Sequence, residues 1–395
     1  MALPIIDISS WNSISSDDVI QQDIATQWNS ALRDYGCVIV IGHGIEESTF
    51  DNVNSEAKIF FEKSAIERMR YSRGSYGHPL GGYTPAGVEN VEKSFDEKSN
   101  ASTVVKKASD PVENFVFTSS PNQFIAPDEH SPNPIPSADA YYTTMNSLLR
   151  TIHSISCSAL SIPDKDFFES YYDESHPQNK SKSKNGNCLR LAHYLPQVVQ
   201  LNSDTSNGEY NKILLTLPYS ALIDIRYGAH TDFQGFTILR PDKSDWHSRR
   251  IVVEGQEYLL TCGGLEVYNR NEDQWIAVKI PQHLNALVIN AGDLIQRWTN
   301  DYWLSPIHRV VAKPVITKVV PPSGDDTETS NRSSEMDLRV EIPGRQAIVF
   351  FTGPLEDCIV EVLPLPHIQQ HRGGAVYPPV RSGDWLQMKL NKINI

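Results

Sequence analysis

Cysteine is scarce in this chain and scattered. The five residues, Cys37, Cys157, Cys188, Cys262 and Cys358, are odd in number and form no C-x-x-C pair. That argues against a disulfide scaffold or a cysteine-built zinc site, and reduced thiols suit an intracellular compartment. Basic clusters are also lacking. The formal net charge is −13, and the longest basic piece, Lys180-Ser181-Lys182-Ser183-Lys184, reads as a solvated loop. The electrostatic footprint of a nucleic-acid binder is therefore missing. No apolar run reaches the roughly 18 residues that a membrane span needs. The stretch Met1 to Asp7 has no basic segment followed by an apolar one, so no secretory leader is read there. No internal repeat is seen. These absences lead to the expectation of a cytoplasmic protein with no nucleic-acid and no membrane partner; a monomer is also expected.

What is present is an ordinary globular composition, 39% hydrophobic and 21% charged. The length suits one large domain with insertions or two smaller ones. The first part reads as helical. Asp17 to Tyr35 carries Ile20, Ile24, Trp28 and Leu32 at i+4 steps, with Ser16 as N-cap and Gly36 as the stop. Glu46 to Met69 and Ala138 to Leu160 read as further helices, and a short one should follow Pro163. Between them lie the β-branched run Cys37 to Ile41 and a strand edge at Asp110 to Phe117. The glycine- and tyrosine-rich stretch Ser72 to Phe95 suits either a pocket wall or an ordinary surface loop.

Further along, short strands dominate, broken by Gly, Pro and Asn turns, which indicates a sandwich or barrel. Polar stretches interrupt them. Val198 to Pro218 reads as an insertion or lid, Asp242 to Arg250 as a polar excursion, and Val320 to Asp337 as a disordered or mobile loop. The expected organisation is a helix-rich region 1–185 and a strand-rich domain 186–395 that form one compact unit.

The chemistry centres on His230-Thr231-Asp232 in a stretch that reads as a strand. Residues i and i+2 of a strand share a face, so an imidazole and a carboxylate can converge on one metal. A third ligand must come from elsewhere, and His308 is the best candidate. Two histidines and one carboxylate with open positions form the arrangement of non-haem Fe(II) oxygenases. Alone, a His-x-Asp tripeptide is weak, because a strand histidine is more often structural. The three residues together with Gly292-Asp293 and Trp298-Thr299-Asn300 are far more specific.

Five stretches in order resemble the isopenicillin-N-synthase-like group of Fe(II)/2-oxoglutarate-dependent dioxygenases. They are Leu3 to Asp7, Gly36 to Gly44, Leu189 to Pro196, His230-Thr231-Asp232 with His308-Arg309-Val310, and Arg345 to Pro354. The resemblance implies an α+β fold with a mainly β core, a double-stranded β-helix (jelly roll) framed by N-terminal helices. It implies Fe(II) at His230, Asp232 and His308, with 2-oxoglutarate and O2 as cosubstrates. It also implies oxidation of a small molecule by hydroxylation, desaturation or oxidative cyclisation, in specialised metabolism, with release of succinate and CO2. No catalytic acid or base is sought beyond the metal ligands.

The distal carboxylate of 2-oxoglutarate needs a cation, which a guanidinium suits better than a lysine. Arg332 fits the family's Arg-x-Ser literally but lacks the apolar strand. Arg345 carries that strand and is chosen, with Tyr194 as a second contact. Ala347 stands where the family has Ser, and Ala192 where it has Asn. Each removes a hydrogen bond typically worth about 0.5–1.5 kcal/mol. A relative that oxidises with iron but without 2-oxoglutarate is the alternative. Phe236, Arg297, Phe351, Tyr76, Tyr83 and His193 are candidate substrate contacts by position. Two insertions, Asp242 to Cys262 and Lys313 to Gly344, stretch the family's spacings, and the second is either a lid or a surface excursion.

Overall fold

The computed structural model describes residues 2–11, 18–72, 81–91, 110–118, 132–177, 183–201, 224–253, 256–312, 315–318 and 338–393. Its helices are α1 (Asp18–Asp34), α2 (Glu47–Phe61), α3 (Ala65–Met69), α4 (Ala138–Ala159), α5 (Glu169–Tyr172), α6 (Asp293–Trp298), α7 (Pro366–His371) and α8 (Ser382–Lys392). The first strands are β1 (Ile5–Asp7), β2 (Cys37–Ile41), β3 (Gly82–Thr84), β4 (Val112–Phe117), β5 (Cys188–Tyr194), β6 (Gln197–Leu201), β7 (Asp224–His230) and β8 (Phe236–Arg240). They continue with β9 (Ser248–Val253), β10 (Gln256–Thr261), β11 (Gly264–Asn269), β12 (Gln274–Ala277), β13 (Leu287–Ala291) and β14 (His308–Ala312). The last are β15 (Val315–Lys318), β16 (Leu338–Ile342), β17 (Arg345–Phe351), β18 (Ile359–Val360) and β19 (Val380–Arg381).

Eight strands form one sheet in the order β1-β2-β13-β8-β17-β5-β4-β3, and four form another, β12-β11-β14-β7. One apolar cluster joins the two sheets, with Cys37, Ile39, Val288 and Ala347 from the larger packing with Leu265, Val267 and Val310 from the smaller. The opposite face of the large sheet packs on helices. There Val38, Val40, Phe236, Ile238, Ile348 and Phe350 meet Trp28 and Leu32 of α1 and Tyr141, Met145 and Ile152 of α4. This is the jelly-roll core framed by helices. Strands from before residue 185 (β1 to β4) share the large sheet with those after it.

Local sequence explains the main departures. The run Glu46 to Met69 is two helices, because Ser64 and Glu67 form a capping box that starts α3. α1 ends at Gly36, whose φ of +67° is the left-handed conformation a helix stop requires. Asp110 to Phe117 is no edge, because β4 lies between β3 and β5. The excursion at 242–250 and both insertions carry strands. β10 pairs with β9 and with β15, and β16 pairs with β6. Ser16, Tyr76 and the stretch 320–337 lie outside the described residues.

Phe236 is fully buried against the Trp28 ring, with centroids 6.3 Å apart. Phe236→Ala should lower stability by about 3–5 kcal/mol, the usual result of deleting a buried aromatic ring. Chemical denaturation measures this directly.

Candidate metal centre

β14 runs antiparallel to β7 and places His308 opposite His230. Their ring centroids are 4.2 Å apart. Nε2 of each lies 3.7 Å from Oδ1 of Asp232. One ligand atom from each of the three residues falls within 4.8 Å of the others. Donors each bonded to one ion at about 2 Å lie at most about 4 Å apart, and both 3.7 Å separations fall inside that limit. The strand ends at His230, so Asp232 stands in the turn beyond it rather than on the pleat. Its orientation comes from hydrogen bonds instead. The Asp232 carbonyl accepts from the Asp293 N–H at 2.8 Å. Asn290 Nδ2 and Thr237 Oγ1 donate to Asp232 Oδ2 at 2.7 and 2.5 Å. Oδ1 is thereby left to face the histidines.

The tautomers are fixed by backbone. His230 Nδ1 lies 2.8 Å from the Gly228 carbonyl, and His308 Nδ1 3.1 Å from that of Pro306. A carbonyl only accepts, so each Nδ1 holds the proton and each Nε2 presents a lone pair. Burial, and then His308 alongside, push the His230 imidazole below its ordinary range, which favours the neutral ring. Burial works to raise the Asp232 carboxyl. Any positive charge on the two imidazoles, with the bonds from Asn290 and Thr237, outweighs it and holds the group below the usual carboxylate range. The Gly228 N–H is itself anchored, donating to Asp110 Oδ1 at 2.9 Å.

All three residues border one cavity, and His230 and Asp232 also border a second beside it. The smaller, about 60 Å³, reaches Ala192, Tyr194, Arg345 and Ala347. The larger, about 530 Å³, extends past Glu89, Asn114 and Arg190 to Leu386 and Leu390 of α8. Arg345 lies 4.4 Å above the Tyr194 ring. Its Nε and Nη2 donate to Asp245 at 2.9 and 2.7 Å. Its buried Nη1 has no hydrogen-bond partner among the described residues. Asp245 was not anticipated, since the polar excursion that carries it looks solvated. The turn is in fact fastened down. Asp242 accepts from the Gln346 N–H at 2.8 Å, and Trp246, at a φ of +61°, donates from Nε1 to the Leu265 carbonyl at 2.9 Å. A bulky residue in the left-handed region is costly and persists only where its surroundings hold it.

Of the expected substrate contacts, Phe351 lines both cavities. Four others are corrected. Phe236 faces the helices, because its neighbour Thr237 takes the cavity side of β8. His193 has the opposite parity to Tyr194 on β5. It stacks on Phe61 with centroids 4.9 Å apart and pairs with Glu113. Tyr83 is buried against Phe60 and donates to Glu113, while Thr84 beside it lines the larger cavity. Arg297 is held between Tyr377 and Trp385 and donates to the Pro378 carbonyl at 2.8 Å, away from both cavities. Glu89, Asn114 and Arg190 were missed, although Arg190 shares strand parity with Tyr194 and could have been found that way.

A jelly roll with two histidines and a carboxylate at a cavity floor defines a class, the mononuclear iron oxygenases. Comparison with known proteins agrees. The family described as non-haem dioxygenase in morphine synthesis, N-terminal, matches residues 3–137, and the 2OG-Fe(II) oxygenase superfamily matches residues 185–322. The chain belongs to the 2OG-Fe(II) oxygenase superfamily. It is 25% identical over 313 residues to the 2-oxoglutarate-dependent dioxygenase tropC of Talaromyces stipitatus, covering 78% of this chain and 81% of that protein. It is 24% identical over 376 residues to the 2-oxoglutarate-dependent dioxygenase htyE of Aspergillus rugulosus, covering 92% and 91%. Among solved structures, a dioxygenase for auxin oxidation in rice superposes with a TM-score of 0.58 at 16% identity, covering 98% of this chain and 95% of that one.

Asn290→Ala removes one of the two donors on Asp232 Oδ2. Loss of such a support typically costs about 10–100-fold in metal affinity. Anaerobic calorimetry with Fe(II) should show a drop of that size, with the far-ultraviolet spectrum unchanged.

Proposed function

We propose that His230 Nε2, His308 Nε2 and Asp232 Oδ1 hold the iron, and that Arg345 with Tyr194 holds the distal carboxylate of 2-oxoglutarate. The protein is an enzyme of the Fe(II)- and 2-oxoglutarate-dependent type, acting on a small molecule. The observation that carries the assignment of residues is the convergence of three ligand atoms, two of them on buried residues, at the smaller cavity, with His230 and Asp232 also facing the larger. The donor set fits a ferrous ion, with two neutral imidazoles and one carboxylate. The unpartnered Nη1 of Arg345 fits an incoming anion.

When bound, iron and 2-oxoglutarate supply O2 activation coupled to decarboxylation, giving succinate, CO2 and an oxidised substrate. The chain's own work is positioning and exclusion of water. Thr237 and Asn290 keep Asp232 aimed at the histidines. Ala192, Ala347 and Val310 give the smaller cavity an apolar wall around Arg345. The larger cavity admits the substrate beside His230 and Asp232, with Phe351 bordering both spaces.

We propose a monomeric cytoplasmic enzyme, in keeping with the absence of any helix among the described residues that is long and apolar enough to cross a membrane. The division into regions 1–185 and 186–395 of one unit is supported by the large sheet, which draws strands from both.

Anaerobic addition of Fe(II) and 2-oxoglutarate should give a weak visible charge-transfer band. His230→Ala should abolish it, and Arg345→Ala should raise the 2-oxoglutarate concentration needed for it by at least about tenfold. An unchanged titration in Arg345→Ala would overturn the clamp.

A further inference from the structure

The larger cavity carries a polar array whose charges cancel. Arg190, on β5, donates from Nη2 to Glu89 at 2.7 Å and from Nη1 to the Tyr227 hydroxyl at 3.1 Å. Asn114, on β4, donates from Nδ2 to the other Glu89 oxygen at 3.2 Å. The side chains of Arg190 and Glu89 are only 11% and 4% exposed. Asn114 is fully buried, and its Oδ1 has no hydrogen-bond partner among the described residues. All three residues line the cavity. Tyr227 connects them to the metal centre, since its ring meets that of His230 edge-on with centroids 4.9 Å apart.

The charge pattern restricts what can bind. Asp232 aside, the other charged side chains lining the cavity are Glu356, Asp384 and Arg381, and Arg381 lies 3.9 Å from Asp384. Among the described residues, every cation of this lining therefore has an acidic partner. A carboxylate placed against Arg190 would share it with Glu89 and lie beside a buried like charge, which is costly. A neutral group with a donor next to an acceptor meets no such penalty. Its N–H can donate to Asn114 Oδ1 while its carbonyl accepts from Arg190. A site built to make such bonds also rejects ligands that leave its buried polar atoms unpaired.

We propose that Glu89, Arg190 and Asn114 form the specificity element of the substrate cavity and select an uncharged substrate with an amide-type edge (amide, lactam or imide) over a carboxylic acid. The inference rests on the function proposed above, with oxidation taking place beside His230 and Asp232.

Matched probes test it: indole-3-carboxamide against indole-3-carboxylate, and phenylacetamide against phenylacetate. Binding to the full chain with Fe(II) and 2-oxoglutarate, under argon, is followed by ligand-observed NMR. The wild type should bind each amide at least about tenfold more tightly than its acid, a difference of about 1.4 kcal/mol. Glu89→Gln frees Arg190 and should erase or invert that preference. Asn114→Leu, a second variant in case the first does not fold, should weaken the amides by at least about tenfold and leave the acids unchanged. Equal or tighter binding of the acids by the wild type, failure of both amides to bind, or an unaltered preference in a folded variant overturns the proposal. No turnover is needed. In the wild type, absence of the preference with the ferrous band present counts against this inference, and absence of the band with the preference present counts against the function.

Discussion

Alternation of side chains along β2, β8, β17 and β5 is the constraint on which the rest of the structure depends. These strands are buried on both faces, so each residue must suit one of two different interiors. Val38, Phe236, Ile238, Ile348, Phe350, Leu189 and Leu191 fill the helix side. Thr237, Leu239, Arg345, Ala347, Arg190, Ala192 and Tyr194 line the smaller cavity, on the metal side. A one-residue slip of β17 would send Arg345 into the aromatic layer and Phe350 towards the candidate metal centre. Register is therefore fixed by polarity as much as by volume. The helices α1 and α4 matter to the chemistry because they complete the aromatic layer that holds this register.

The candidate metal ligands depend on that register through the backbone. Gly228 and Pro306 contribute carbonyls rather than side chains, so the two histidine tautomers follow from the path of the chain. Asp232 lies outside the ladder and has no pleat to aim it. Thr237, from the metal side of β8, and Asn290, from β13, take one of its oxygens, which leaves the other for the ion. The three ligands thus come from two neighbouring strands and a turn, but the larger sheet decides where the carboxylate points.

Much of this was legible in the sequence, and what was not has physical causes. The helices α1 and α4 follow from hydrophobic periodicity, the jelly roll from the family resemblance, and the convergence of His230, Asp232 and His308 from a motif with chemistry in it. The substrate contacts fared worse because they were chosen by proximity along the chain rather than by parity. Phe236 and His193 each sit next to a cavity residue and therefore face away from it. Applied to β5, the same rule would have found Arg190 from Tyr194. Asp245 was beyond reach. Its partner Arg345 is a hundred residues away, and a turn of Asp, Ser and Lys reads as solvated until something is seen to bury it.

Asp245 and Glu89 share a logic. An unpaired guanidinium in a buried cavity carries a desolvation cost of several kcal/mol, so an arginine placed there for a ligand needs a partner before the ligand arrives. Arg345 has Asp245, Arg190 has Glu89, and Arg240, across the sheet, has Glu47. Once the charges are paired, net charge no longer separates the two cavities, and the atom left over does. In the smaller cavity that atom is Nη1 of a guanidinium, a cationic donor that suits a carboxylate. In the larger it is the oxygen of Asn114, a neutral acceptor that suits an N–H or O–H. On the proposed reading, an anionic cosubstrate and an uncharged substrate sort to opposite sides of the three candidate ligands, because the arginines that face the cavities already have acidic partners.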